Sequence, residues 1–277
     1  ENHKSKLLKP FQKEDDWVLD LNTATIDETI VLKVSENKKV SLEIIIPEER
    51  CCLKTTKVIF IVDKYANLDL LQIITGKNNA AHNLIFEIHI LENAIVNHGL
   101  IAVGKENSIL LSKTLVYQSV HSNYSLNFLQ ESWNLGRIEP EIIQLSGNAK
   151  TTIRGIQLAR NNEQLSTFSQ IHFNGPQGTL EQLQKAIVQD KAHSIFNGII
   201  EVPQIAQQTN ASQLSKNLLL SDKAQVDTKP ELRIIADDVK CTHGATISQL
   251  EEDELFYLQS RGLSAKKASQ LILYGYL

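Results

Sequence analysis

The sequence predicts a mainly β chain of short stacked strands, a solenoid in preference to a sandwich, followed by a small helical module. Three observations carry this. From about Asp27 to Cys241 the pattern is strand-like almost throughout, with no helix between successive strands to build βαβ units. A small corner motif recurs between those strands. Close to the C-terminus the apolar period changes from that of a strand to that of a helix.

The runs Thr29–Val34, Val40–Ile46, Lys57–Val62 and Asn83–Ile90 are rich in β-branched and aromatic residues. In the last, Leu84, Phe86, Ile88 and Ile90 share one face, and Glu87 and His89 the other. At the corners a turn former and a small residue precede the next strand: Tyr65-Ala66, Asn93-Ala94, Asn107-Ser108, Asn148-Ala149, Lys191-Ala192 and Lys223-Ala224. Asn and Asp tolerate corner geometry, and a small side chain lets one coil stack on the next. The spacing is irregular, so the repeat is weak. Thr179–Val188 places Leu180, Leu183 and Ile187 at helical spacing, and reads as strand or loop.

At the C-terminus, Ser248 and Glu251 form a capping-box pattern. Leu255, Leu258 and Gln259 continue a helix that Gly262 ends, and Ser264 caps a second with Ala265, Ala268, Leu271 and Ile272 on one stripe. The expected organisation is a lead-in over residues 1–26, a β core over 27–247 and helices over 248–277. The chain starts at Glu1, contains no Met and stops at Leu277 within an apolar helical pattern, as expected of a fragment whose N-terminal helical region is missing.

The chain has 277 residues, enough for one large domain, with 42% apolar and 22% charged residues. A net charge of -4, with nothing more basic than the Lys38-Lys39 pair, argues against nucleic acid as a partner. Three cysteines, two of them adjacent at Cys51-Cys52, make no disulfide framework and favour a reducing compartment. No apolar run approaches the ~18 residues of a membrane span. The opening residues Glu1–Pro10 lack the apolar core of a secretory signal.

Phosphate-loop, dinucleotide-binding, nucleophile-elbow and paired-cysteine motifs are absent. Cys241 and His243 are two residues apart, so on a strand a thiol and an imidazole project from one face. Two ligands are too few for a closed metal site but suit half of one completed by another chain. Spacing alone favours a packed structural pair over that reading. Asp237 and Asp238 face opposite sides of a strand, so they cannot flank one scissile bond, and read as a turn. Cys51 and Cys52 read as structural, and His82, His89, His98, His121, His172 and His193 as scattered surface or packing residues.

The segment Asp227–Thr246, containing Asp237-Asp238-Val239-Lys240-Cys241-Thr242-His243-Gly244, resembles the C-terminal signature of the SufB/SufD family of the SUF iron–sulfur cluster assembly system. Phe196-Asn197-Gly198, Ala206–Ala211, Asn217–Ser221 and Leu255–Gly262 are similar to the same family, specifically so from about Gly136 onward. The SufB branch typically reads Glu-Ala-Thr where this chain reads His243-Gly244-Ala245-Thr246, so the sequence looks like the SufD branch. The resemblance implies a right-handed parallel β-helix and a non-catalytic scaffold in the bacterial cytoplasm or plastid stroma. It implies a heterodimer with SufB through the C-terminal strands, with Cys241 and His243 at the junction where a transient iron–sulfur cluster is built. It also implies docking of the ATPase SufC through Leu255, Phe256, Leu258, Leu271 and Ile272. A reduced flavin is associated with the family's complex, and no residue here locates its site. A homodimer of the isolated chain through the same strands is a further expectation. The competing reading is a polysaccharide-binding or -cleaving β-helix, which needs carboxylates converging across stacked coils; the sequence shows no such ladder.

Overall fold

A computed structural model describes residues 16–26, 29–47, 53–77, 79–105, 107–250 and 252–276. The chain winds as a β-solenoid in which successive strands alternate between two parallel sheets. One 8-stranded sheet stacks β1 (Thr29–Val34), β3 (Leu53–Val62), β5 (Ala81–Ile90), β7 (Ile109–Gln118), β9 (Leu135–Gln144), β11 (Gln164–Phe173), β13 (His193–Val202) and β15 (Gln225–Ile234). The other 8-stranded sheet stacks β2 (Lys39–Ile46), β4 (Asn67–Thr75), β6 (Ile95–Val103), β8 (Asn123–Glu131), β10 (Lys150–Ala159), β12 (Thr179–Val188), β14 (Asn210–Leu219) and β16 (Lys240–Gln249). The four runs read as strands are strands, and so is Thr179–Val188. The solenoid, rather than a sandwich, is confirmed.

The corners explain why the repeat was faint in the sequence. Asn37, Tyr65, Asn93 and His121 all adopt positive φ, and they fall 28 residues apart (65 − 37, 93 − 65, 121 − 93). Each is the third residue of a turn closed by the next residue's N–H; Ala66 N donates to Asp63 O and Ala94 N to Leu91 O, both at 3.1 Å. Positive φ at that position marks a type II turn, which Asn satisfies at low cost and Tyr or His only under constraint. The later left-handed corners, Asn148, Gln177 and Gln208, drift in spacing and chemistry. The small residue beyond the corner is buried in every expected case, with Ala66, Ala94, Ser108 and Ala192 fully enclosed.

Inward-facing side chains stack coil upon coil. The early coils are apolar: Phe60, Phe86, Leu84 and Ile88 belong to one continuous core, while Glu87 and His89 face outward as the alternation predicts, joined at 2.8 Å. Later coils are polar inside. Gln182, Gln184, Gln213 and Ser215 are buried, and Gln213 Nε2 donates to Gln182 Oε1, whose own Nε2 donates to Ser169 Oγ, each at 2.8 Å. Their amides occupy space that small residues leave. A Cβ at Gly155 would lie 2.3 Å from Gln184 Oε1 and 2.2 Å from Phe128 Cζ. Pro140, which has no N–H, sits where β9–β11 pairing lapses between Ile138 and Glu141.

The expected lead-in contains a helix, α1 (Trp17–Thr25), that packs on the outer face of the odd-numbered sheet. Asp16 caps it. Val18 is buried with Ile85, Leu111 and Leu115, and Asn22 Nδ2 donates to the carbonyls of Thr56 and Asn83. Beside it the buried Lys113 ammonium meets Asp16 at 2.5 Å, Glu141 at 2.8 Å and Glu139 at 3.6 Å. Burial opposes the charge, but those three carboxylates outweigh it and raise the Lys113 pKa.

Two C-terminal helices follow, α2 (Glu252–Ser260) and α3 (Ala265–Tyr276). Ser248, read as a helix cap, instead lies in β16 in register with Leu218. Its Oγ donates to Asn217 O at 3.4 Å. Extending the ladder onto β14 takes precedence over local capping, and Glu251 lies outside the described residues. Gly262 has positive φ and ends α2 as read, and Ser264 Oγ accepts from Lys267 N. Of the α3 stripe only Ala268 is buried. Lys185 Nζ, on the even-numbered sheet, donates to Tyr276 O at 2.6 Å and fixes the helix end there.

Removing the Lys113 cation leaves Asp16 and Glu141 without the ammonium that joins them, while Glu139 keeps Arg137. Lys113→Ala is expected to cost about 3–5 kcal/mol of stability, read as a lower urea midpoint with α1 becoming susceptible to limited proteolysis. Lys64→Ala, at an exposed corner pair, serves as the control and is expected to leave the midpoint near that of the unaltered chain.

Candidate functional site

The C-terminal coil is built from β15 and β16, the last strand of each sheet. Cys241 and His243 lie on β16 in register with Ala211 and Gln213 of β14, both of which are buried and face the interior. Residues two apart on a strand share a face, so Cys241, His243, Ala245 and Ile247 all occupy inward positions. No coil follows to cover them among the described residues. Cys241 is half-buried and packs against the end of the core, while His243 is exposed and Ile247 is 51% exposed. The structure therefore brings the two predicted residues together at the open mouth of the solenoid. Adjacent Ile234 (39%) and Ile235 (68%) are also uncovered. Asp237 and Asp238 occupy the bend before β16, as read; Asp237 accepts from Gln204 Nε2 and Asp238 N donates to Gln207 Oε1.

Burial pushes the Cys241 thiol above its usual range, partly offset by a backbone hydrogen bond with Ala211. The sulfur is thus a protonated thiol at neutral pH, and a metal ion displaces that proton on binding. Among the described residues no group of three His, Cys, Asp or Glu side chains is arranged to hold a metal. Cys241 and His243 form at most half of a coordination sphere on this chain. Cys51 and Cys52 lie outside the described residues.

The residues read for ATPase docking fall into two sets. Phe256 (72% exposed) and Leu271 (53%) project into solvent, with Tyr257 and Tyr274 beside them. Leu255, Leu258 and Ile272 are half-buried. Tyr274 escaped the sequence reading because the α3 stripe was drawn through Ala265, Ala268, Leu271 and Ile272, and Tyr257 was read only as part of the Leu255–Gly262 segment.

The sequence reading also missed a charged band on the outer face of the odd-numbered sheet. His172 Nδ1 meets Glu201 at 2.8 Å and its Nε2 meets Glu141 at 3.7 Å. Arg233 joins Glu201 at 2.9 Å and Glu231 at 2.6 Å, and Lys57 meets Glu87 at 3.3 Å. Carboxylates do gather here across stacked coils, but each faces a cation. Burial raises the Glu87 pKa, yet the His89 hydrogen bond and Lys57 overcome it, so the group ionises below the ordinary carboxylate range. Hydrolysis of a glycosidic bond needs one carboxyl kept protonated as the acid, opposite to what Lys57 and His89 impose on Glu87. Of the other described histidines, His98 is enclosed between Tyr124 and Gln72, and burial lowers its pKa to about 4; His193 pairs with Asp227 at 2.8 Å, and His121 occupies an exposed corner.

No described helix is long and apolar enough to cross a membrane. Residues 45–276 match the family model described as SUF system FeS cluster assembly, SufBD core domain. The chain is 42% identical over 192 residues to an iron–sulfur cluster assembly SufBD family protein of Synechocystis sp., covering 69% of this chain and 42% of that protein. It is 34% identical over 229 residues to the chloroplastic protein ABCI7 of Arabidopsis thaliana, covering 81% and 48%. It is 41% identical over 134 residues to the iron–sulfur cluster assembly protein SufD of Escherichia coli, covering 48% and 32%. The chain thus spans about half the length or less of these relatives.

The elevated thiol makes a direct prediction. In a chain carrying Cys51→Ser and Cys52→Ser, the rate of Cys241 alkylation by iodoacetamide is expected to rise with pH through a midpoint above the ~8.5 of free cysteine. A midpoint below that value would mean that an unrecognised cation stabilises the thiolate.

Proposed function

Because the chain belongs to the SufBD core family of the SUF iron–sulfur cluster assembly system, we propose that it is a non-catalytic scaffold subunit whose open C-terminal coil forms half of an interfacial cluster-assembly site. The observation that carries this reading is the uncovered mouth of the solenoid, where Cys241 and His243 occupy core-facing positions that no described residue closes. A thiol and an imidazole suit iron, and a second chain supplies the remaining ligands. The cluster is cargo, built there and passed on.

The partner of matching geometry is SufB, pairing through β15 and β16. Both strands end their sheets and present unpaired backbone groups together with Ile234, Ile235 and Ile247. Phe256, Tyr257, Leu271 and Tyr274 offer the apolar surface for the ATPase SufC, backed by Leu255, Leu258 and Ile272. ATP-driven motion of SufC would reach the junction through α2, which follows β16 directly, and open it to iron and sulfide. The bacterial cytoplasm or plastid stroma, both reducing, keeps the Cys241 thiol available for this chemistry.

The test is anaerobic co-expression with SufB and SufC, followed by iron and sulfide analysis of the purified complex. His243→Ala and Cys241→Ala are expected to leave the complex assembled and its iron and sulfide content greatly reduced. Full cluster content in both variants would refute the proposed site. Phe256→Asp with Leu271→Asp is expected to release SufC while retaining SufB; retention of SufC would remove α2 and α3 from the docking surface.

A further inference from the structure

Gln213 lies in β14 directly beneath His243 in the parallel register. Its side chain is 1% exposed. The amide nitrogen is committed to the preceding coil, where Nε2 donates to Gln182 Oε1 at 2.8 Å. The amide oxygen has no hydrogen-bond partner among the described residues and is inaccessible to solvent. A buried carbonyl oxygen without a donor is unfavourable, so its presence calls for a donor that arrives in some state of the molecule. The next coil supplies one candidate in register, the imidazole of His243.

A second observation shows that this amide has a place made for it. Gly198, across the interior on β13, lies against the Gln213 carboxamide. A Cβ there would come within 2.4 Å of Nε2 and 2.8 Å of Cδ. Glycine at that point leaves the space the amide occupies, so its orientation is set from two sides, by Gln182 and by the cradle.

We infer that Gln213 is a positioning residue for His243: Gln213 Oε1 accepts a hydrogen bond from one imidazole N–H and leaves the other ring nitrogen's lone pair free at the open end of the solenoid. The inference rests on the reading of His243 as a metal-binding residue of the assembly site. Neighbouring coils stand about 4.8 Å apart, so a rotation of the exposed His243 side chain brings a ring nitrogen within hydrogen-bonding distance of the amide. A backbone or side-chain carbonyl behind a metal-binding histidine fixes both its tautomer and its direction. Here that carbonyl comes from a file of glutamines inside the fold, which ties the orientation of an exposed ring to the buried interior.

The test reads the tautomer of His243 by long-range nitrogen–proton correlation in the full chain, at a fixed pH where the imidazole is neutral. Comparison with His243→Asn assigns the signals. The unaltered chain is expected to show one dominant tautomer. Gln213→Leu keeps the bulk and removes the acceptor, and is expected to give a mixture; Gln213→Glu restores an acceptor and the single tautomer. Gly198→Ala keeps the amide but displaces it, and supplies the same reading if Gln213→Leu does not fold. Cobalt(II), used as the probe ion in the complex with SufB and SufC, is expected to bind roughly tenfold more weakly in the Leu variant. An unchanged tautomer in both Gln213→Leu and Gly198→Ala overturns the inference. A tautomer shift together with normal cluster content in His243→Ala leaves the hydrogen bond standing and instead removes the assembly role of His243.

Discussion

The in-register stacking of one coil on the next governs the rest of this molecule. Parallel pairing without slippage places each inward side chain over its counterpart in the neighbouring coil, so the interior is a set of columns. A column tolerates only residues that can live beside themselves. Apolar columns do so by contact, Phe60 over Ile88 and Val58 over Phe86, and the two rings also meet between columns with centroids 6.4 Å apart. A polar column does so by hydrogen bonding along the axis, as Gln213 with its in-register neighbour Gln182, while His98, in register with Leu70 and Leu126, reaches diagonally to Tyr124 and Gln72. The corners serve the same constraint, since the left-handed residue closes the turn and the small residue after it allows the next coil to settle.

Helices flank this stack on both sides. α1 lies on the outer face of the odd-numbered sheet, held by an apolar contact through Val18 and by the carboxylates around Lys113. α3 is tied to the even-numbered sheet through Lys185, which donates to Tyr276 O. Among the described residues the uncovered backbone edges lie at the two ends of the stack, one formed by β1 and β2 and the other by β15 and β16. The second is where the thiol and the imidazole stand. Location rather than residue type separates His243 from the other described histidines.

Much of this was legible in the sequence. Period-two runs gave the strands, and Asn-Ala and Asn-Ser corners gave the solenoid, because each reflects a local steric demand. The pairing of Cys241 with His243 followed from strand geometry alone. The polar interior did not, because a glutamine in a strand looks the same whether it faces water or another glutamine; Gln182 and Gln184 alternate correctly and were still read without an orientation. The docking of α1 was hidden for a related reason. Asn22 binds carbonyls 34 and 61 residues away, and Lys113 gathers carboxylates from a helix and a distant strand. The Ser248 cap failed because a local preference met a longer-range ladder.

Every interior coil of the stack rests on two neighbours, and the terminal coil rests on one. In a linear array of nearest-neighbour units, the free energy of local opening is lowest at such a boundary. Amide hydrogens of β16 should therefore exchange fastest among the strands at this end of the solenoid, and those of β12 and β10 far more slowly. A second chain docked at this end would supply the missing neighbour and slow that exchange. The fold thus makes the rigidity of Cys241 and His243 conditional on what covers the terminal coil: uncovered, the two side chains fray with the strand that carries them, and a neighbour stacked there would order both at once.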